Sequence, residues 1–288
     1  MEFISASSWS EALAAKAALP EVAPIAGGTD LMVELNFDRR RPAALLDLSG
    51  IPELMGWERA GGSVRIGAGL PFARIIRELG ALVPGLAVAA RTVGSPQIRN
   101  RGTLGGQLGT ASPAGDAVPP LVSLDASVEI SSVRGERTVP ILEFFTGPKR
   151  NILERDELVR ALVVPIADGP QQFAKVGTRN AMVIAVCAFA VSLHPSRQGV
   201  GTGIGSAGPT VLRAREAEAF LQHELAGLWH TRGALADGVI ARFGELAASA
   251  ARPIDDVRGS ANYRRHSIAV MARRTLRWAW DEYQGAPG

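Results

Sequence analysis

Residues 99–116 read RNRGTLGGQLGTASPAGD. The stretch holds five glycines, two threonines and a serine, and it ends in a carboxylate, Asp116. Glycine accepts positive φ and carries no Cβ, so successive backbone N–H groups can turn toward one point. Such a nest binds anions, phosphates above all. The glycine content predicts a loop with no helix of its own. A second segment of the same character, AGGTD (26–30), follows the short apolar run VAPI (22–25). The hydroxyls of Thr29, Thr103, Thr110 and Ser112 would supplement the backbone donors, each hydrogen bond to a charged acceptor contributing about 1.5–3 kcal/mol. Neither segment contains lysine, which fits an anion held by N–H dipoles. Neither matches G-x-G-x-x-G or G-x-x-x-x-G-K-[ST], which argues against a Rossmann site and a P-loop. Taken residue by residue, the pair is either two glycine-rich turns or two loops of one α+β domain around a phosphate-bearing cofactor. Asp116 either closes an Asx turn or N-cap, or accepts a hydrogen bond from a ribose or ring N–H.

Composition narrows the classes. The 288 residues are 47% hydrophobic and 20% charged, an ordinary globular mixture long enough for two domains or one large one. The formal net charge is only +3, and its densest basic cluster, FDRRRP (37–42), has no aromatic ladder beside it. That argues against a nucleic-acid footprint and for a solvated loop. The single cysteine, Cys187, lies inside VIAVCAFAV (183–191) and reads as a buried small hydrophobe. One cysteine forms no intrachain disulfide and ligates no iron–sulfur cluster by itself. The four histidines show no metal-ligand spacing, so no metal is expected in this chain. The N-terminus lacks the pattern of a signal peptide and no apolar run has the length of a membrane span, so the expected location is cytoplasmic.

The periodicities outline a mixed chain. SSWSEALAAKAAL (7–19) predicts a helix, with Ser8 and Glu11 in capping-box spacing. Residues 22–25, 43–49 and 64–69 read as strands, the third preceded by a Gly61-Gly62 turn. PFARIIREL (71–79) predicts a helix with Pro71 at its first position, and residues 85–93 another. ASVEISSVRGERTVPI (126–141) predicts a hairpin with Arg134-Gly135 at its tip. DELVRALVVPI (156–166) and QQFAKVGTR (171–179) read as strands, and residues 183–193 and 199–208 as a strand pair. Helical patterns follow at 212–222, 231–251 and 262–283, the last with Ile268, Met271, Leu276 and Trp280 on one face. QGAPG (284–288) is the only tail, and the texture changes near residues 170–180.

PIAGGTDL (24–31) and RNRGTLGGQLGTASPAGD, in this order and spacing, closely resemble the FAD-binding medium subunit of the molybdenum hydroxylases, the family of xanthine, carbon monoxide and nicotine dehydrogenases. The resemblance runs on through LLDLSGIPEL (45–54), VRIGAG (64–69), FFTGPKR (144–150) and SANYRR (260–265), nearly the whole chain. It implies an α+β fold: a two-subdomain FAD-binding region of the vanillyl-alcohol-oxidase (PCMH) type over residues 1–172, split about residue 55, then a smaller α+β domain over 173–288. It places Ala26, Gly27, Gly28, Thr29, Asp30 and Leu31 around the FAD pyrophosphate, with Pro24 and Ile25 leading in. Thr103, Leu104, Gly105, Gly106 and Gln107 would meet the diphosphate and ribityl chain, with Ser112 close by. Asp116 matches a cofactor-contacting aspartate and Lys175 a lysine near the cofactor. Val93 and Val159 match positions packed on it, and Ile184 a position beside the isoalloxazine ring. The family usually has Asn or Ser where this chain has Gln107, whose longer amide either reaches the cofactor or turns away while the backbone N–H serves.

The resemblance further implies electron transfer without a catalytic acid or base in this chain. A purine, another N-heterocycle or a similar small molecule would be oxidised at a molybdopterin on a large subunit. Two [2Fe–2S] clusters on a small subunit would carry the electrons to FAD here, and NAD, oxygen or a quinone carrier would take them, in a dimer of heterotrimers. The competing readings are an autonomous flavin oxidoreductase of the same fold group and a non-enzymatic nucleotide-binding module.

Overall fold

A computed structural model describes residues 1–285. The chain begins with a parallel three-stranded sheet ordered β1-β3-β2, from β1 (Glu2–Ser5), β2 (Ala23–Ile25) and β3 (Ala44–Asp47). Helix α1 (Trp9–Ala18) connects the first two strands and buries Trp9, Ala12 and Lys16. Ser8 caps it by accepting from the Glu11 N–H, while the Glu11 carboxylate reaches back to Ser7 N at 2.8 Å, one residue earlier than in a strict capping box. The Lys16 ammonium is buried because it donates to the carbonyls of Pro20 (2.7 Å) and Val22 (3.0 Å) at the end of the same turn.

The second layer is an antiparallel five-stranded sheet, ordered β4-β5-β10-β6-β7. Its members are β4 (Trp57–Ala60), β5 (Ser63–Gly67), β6 (Ser127–Ser132), β7 (Gly135–Pro140) and β10 (Leu158–Pro165). β4 was not legible in the sequence: an edge strand with mostly exposed residues carries no apolar period. The β6–β7 hairpin pairs Ser132 with Gly135, so its tip is Val133-Arg134, one residue before the expected Arg134-Gly135. Helices α2 (Leu31–Asn36), α3 (Phe72–Glu78), α4 (Pro84–Arg91), α5 (Pro96–Arg101), α6 (Leu104–Thr110), α7 (Val118–Ser123) and α8 (Ile141–Phe144) fill the connections, with a small hairpin of β8 (Phe145–Gly147) and β9 (Arg150–Asn151). Pro71 sits just outside α3 as its N-cap instead of opening it. One apolar cluster runs from Ala6 and Trp9 through Leu46, Ile66 and Leu86 to Leu162, so both sheets share a core.

Two short helices, α5 and α6, occupy most of the segment expected to be a bare loop. Glycine disfavours helix, but tertiary packing overrides it. Leu104 and Leu108 of α6 are fully buried, and the Gly105 N–H donates to the Ala68 carbonyl at 2.9 Å. Ser95 and Thr103 cap the two helices through their hydroxyls.

The C-terminal part is a three-stranded antiparallel sheet, β11 (Gln171–Val176), β12 (Cys187–His194) and β13 (Gly199–Gly205). One face packs on α9 (Arg215–Leu225), α11 (Asp237–Ser249) and α12 (Ala261–Gly285), with α10 (Leu228–Thr231) beside α9. α11 starts only at Asp237, later than its pattern suggested, and α12 takes in Gln284 and Gly285 of the expected tail, whose last three residues lie outside the described ones. Cys187 faces this core, where burial pushes its thiol up to about 11. Ile268, Met271, Leu276 and Trp280 are all buried along one face of α12, as their spacing required.

The other face of that sheet meets the first part of the chain. β13 reads GVGTGIG, and its glycines recur with period two on the face turned to α7. A Cβ on Gly201 would overlap the Ser123 carbonyl, and one on Gly203 the Pro119 carbonyl. The seam also carries a 2.7 Å hydrogen bond between the Ser123 and Ser192 hydroxyls and one of 3.0 Å from Gly85 N to the Gln171 side chain. Among the described residues no helix is long and apolar enough to cross a membrane.

Gly203→Ala lowers unfolding stability by about 1–3 kcal/mol, the ordinary cost of overpacking, in a urea titration. A second prediction concerns pH. The Glu78 carboxylate accepts from the Arg74 guanidinium and from Trp57 Nε1, tying α3 to β4, and the arginine holds it at about 2 against an ordinary 4.5. A depressed carboxylate stabilises the fold above its unfolded value and stops doing so as pH falls through its folded value. Glu78→Gln is therefore less stable than the parent by about 1 kcal/mol at neutral pH, and the difference vanishes between pH 4.5 and 2.

Candidate cofactor site

The turn after β2 and the α5–α6 segment touch directly. A Cβ on Gly27 would overlap the Arg101 carbonyl, so only glycine lets the two backbones meet. Gly28 has φ +72°, the left-handed region that favours glycine, and its carbonyl accepts from Met32 N as α2 begins. Thr29 Oγ1 lies beside Gly102. Thr110 Oγ1, at the far end of α6, donates to Asp30 Oδ2 at 3.1 Å and so clamps the second contact. Pro24 and Ile25 end β2 against Leu46 and Asp47, and Leu31 opens α2 half-buried. The two glycine segments that the sequence set far apart thus form one continuous surface.

Within the second segment the glycines divide by task. A Cβ on Gly105 would press on Ala68, just past β5, so its small size lets α6 seat on that backbone. Gly106 is bare toward open space, with only the Thr103 hydroxyl near the place of its Cβ, at 3.1 Å. Thr103 Oγ1 accepts from Gly106 N and keeps its own proton free. Ser112 Oγ accepts from Ala114 N inside the loop. Leu104 contributes only backbone, its side chain being core. The Gln107 amide turns inward: its Oε1 accepts from Ala117 N at 3.2 Å and braces the turn before α7.

Asp116 neither caps α7 nor closes an Asx turn; the N-cap is Ala117, and no side chain caps that helix. The carboxylate is buried at the meeting point of α4, the α6–α7 loop and β11. Its Oδ2 accepts from Lys175 Nζ at 2.5 Å and from Thr92 Oγ1 at 3.2 Å, and Lys175 also donates to the Thr92 carbonyl at 3.1 Å. Burial raises the carboxyl above its usual range, and the Lys175 ammonium opposes that rise. Its Oδ1 is buried with no hydrogen-bond partner. A buried acceptor left unpaired costs about 1–3 kcal/mol, so its position calls for a donor from outside the chain.

The remaining expected positions lie on three different segments. Val93 follows Thr92 in the turn between α4 and α5, where Arg99 Nη1 donates to the carbonyls of Val93 and Gly94. Val159 is buried in β10 at a bulge, and the next carbonyl, of Arg160, accepts from Ala68 N beneath α6. Ile184 lies half-exposed on the loop between β11 and β12. The sequence offered no sign of Thr92, and Arg99, though it opens the glycine stretch, carried no assigned role; both depend on which backbone atoms the fold brings to them. Among the described residues no group of three or more His, Cys, Asp or Glu side chains is placed to hold a metal ion.

Comparison with known proteins agrees with this architecture. Residues 1–167 match the FAD binding domain in molybdopterin dehydrogenase, and residues 172–279 the CO dehydrogenase flavoprotein C-terminal domain. The chain is 36% identical over 208 residues to the nicotinate dehydrogenase FAD-subunit of Eubacterium barkeri, covering 68% of this chain and 70% of that one. It is 32% identical over 268 residues to a putative xanthine dehydrogenase FAD-binding subunit of Escherichia coli, covering 89% and 88%. Its fold superposes on carbon monoxide dehydrogenase from Hydrogenophaga pseudoflava with a TM-score of 0.88 at 29% identity, covering 98% of each chain. The chain belongs to the FAD-binding medium subunits of the molybdenum hydroxylase family.

Proposed function

We propose that FAD lies along the joined glycine surface, its pyrophosphate against residues 26–30 and 103–107 and its flavin end toward Asp116 and Lys175. The observation that carries this assignment is the buried, unpartnered Asp116 Oδ1 at the end of that surface. The bare backbone at Gly106 and the free Thr103 proton supply what a phosphate needs. Val93 and Val159 would shield the cofactor from one side. When bound, FAD supplies the redox chemistry. The protein binds and orients it, keeps the Lys175 charge beside it and excludes water from the Asp116 side.

In this reading the chain passes electrons from [2Fe–2S] clusters on a small subunit to an external acceptor, and a molybdopterin-bearing large subunit oxidises a purine, another N-heterocycle or a similar small molecule. The lone, buried Cys187 supports that division of labour. The assembly would be a cytoplasmic dimer of heterotrimers. We place the domain boundary near residue 172, where one apolar cluster gives way to another. The half-exposed Ile184 leaves the flavin end open to a diffusible acceptor such as NAD, oxygen or a quinone carrier.

Two substitutions separate cofactor contact from packing. Gly106→Ala weakens FAD binding at least about tenfold, a loss of roughly 1.4 kcal/mol, with the melting temperature of the apoprotein not lowered. Gly105→Ala lowers that melting temperature whether or not FAD is added. FAD titration and thermal melts read both, and unaltered FAD affinity in Gly106→Ala overturns the placement. In the assembled complex, stopped-flow reoxidation of the substrate-reduced flavin shows reaction with NAD, oxygen or a quinone; failure with all three rules out an open flavin end.

A further inference from the structure

The SANYRR segment (260–265) opens α12 far from the glycine surface in sequence, yet its Arg264 is buried to 4% exposure. Burying a guanidinium is costly unless acceptors surround it. Here three connections converge on it. Nη1 donates to the carbonyl of Val186 at 2.8 Å and to that of Ser206 at 2.5 Å, and Nη2 donates to Asp256 Oδ1 at 2.6 Å. Asp256 is itself held by the N–H of Arg258 at 2.8 Å, and Ser260 Oγ caps the helix by accepting from Tyr263 N at 3.2 Å. The two terminal nitrogens of the fork are therefore firmly mounted, while the buried Nε has no partner.

What it grips leads back to the cofactor site. Val186 ends the β11–β12 loop two residues after Ile184. Ser206 is buried with φ +56°, a conformation non-glycine residues rarely adopt. The Ser206 N–H donates to the Pro113 carbonyl at 2.9 Å, in the same loop as Asp116. One side chain thus couples the loop of Ile184 to the loop of Asp116. Nothing in the packing of α12 itself demands this, since its apolar face already carries the core. A lysine could reach the same place, but its single ammonium cannot span two carbonyls and a carboxylate as the planar fork does.

We propose that Arg264 is a positioning residue for the flavin: it sets the distance between the two loops that bracket the ring end of FAD, without touching the cofactor. The proposal rests on the FAD placement above. Its test uses the full chain stripped of flavin and titrated with FAD and, separately, with ADP, which carries the diphosphate but no flavin. In Arg264→Lys the Kd for FAD rises about tenfold or more while the Kd for ADP changes less than about twofold, and the visible circular dichroism of bound flavin changes. Asp256→Asn, which keeps an acceptor oxygen, shows the same split more weakly. Equal losses for FAD and ADP mean a merely structural role and overturn the proposal, as does unchanged FAD affinity and dichroism in Arg264→Lys. Failure of the parent chain to bind FAD while its melting curve shows it folded overturns the FAD placement itself, and the proposal with it.

Discussion

Backbone lies directly on backbone at the three joints that assemble this molecule. Gly27 meets the Arg101 carbonyl, Gly105 meets Ala68, and Gly201 and Gly203 meet the carbonyls of Ser123 and Pro119. A single Cβ at any of them would overlap its neighbour. The first joint brings the parallel sheet to the α5–α6 segment, the second seats α6 on the antiparallel sheet, and the third seats the C-terminal sheet on α7. The joined glycine surface exists only where the first two joints are both made. Close approach, more than glycine's freedom of φ, is what most of these residues provide.

The third joint explains why the charged groups of the site tolerate burial. Lys175 stands on β11, on the sheet face turned to the first part of the chain, and reaches Asp116 and the Thr92 carbonyl only because β13 lies flush on α7. A buried ion pair is worth keeping when its remaining hydrogen-bonding capacity is met and its geometry serves something else. Lys175 meets the first condition with two of its three donors, on Asp116 and the Thr92 carbonyl. Asp116 meets it only in part, and its spare oxygen marks the direction from which a ligand completes the set. Arg264 repeats the device on the far side: a buried cation donates to two backbone carbonyls and a carboxylate and so ties together loops that no secondary structure joins.

Local sequence rules reached far into this chain. The Ser8 cap, the strand run at 43–49 and the apolar stripe of α12 depend on neighbours within a few residues and formed where their patterns required, whereas the strand expected over 183–193 begins only at Cys187, leaving residues 183–186 in the loop after β11. Rules of the same range failed at 96–110, because α5 and α6 owe their helicity to Leu104, Leu108 and the Ala68 carbonyl, none of which propensity registers. The edge strand β4 escaped for the opposite reason: it buries too little to leave a period.

At the candidate site, sequence alone singled out the segments: two lysine-free glycine motifs and the aspartate that follows the second. Tertiary structure decided what each residue does there. It gave Gly105 to packing and Gly106 to open space, turned Gln107 inward to Ala117, set Lys175 on Asp116, recruited Thr92 from a segment without a motif, and gave Arg264 of SANYRR the carbonyls it holds. The physical reason is one of range. A motif records the residue types a ligand needs, whereas close contacts and buried charge pairs are fixed by backbone atoms that only the completed fold brings within reach.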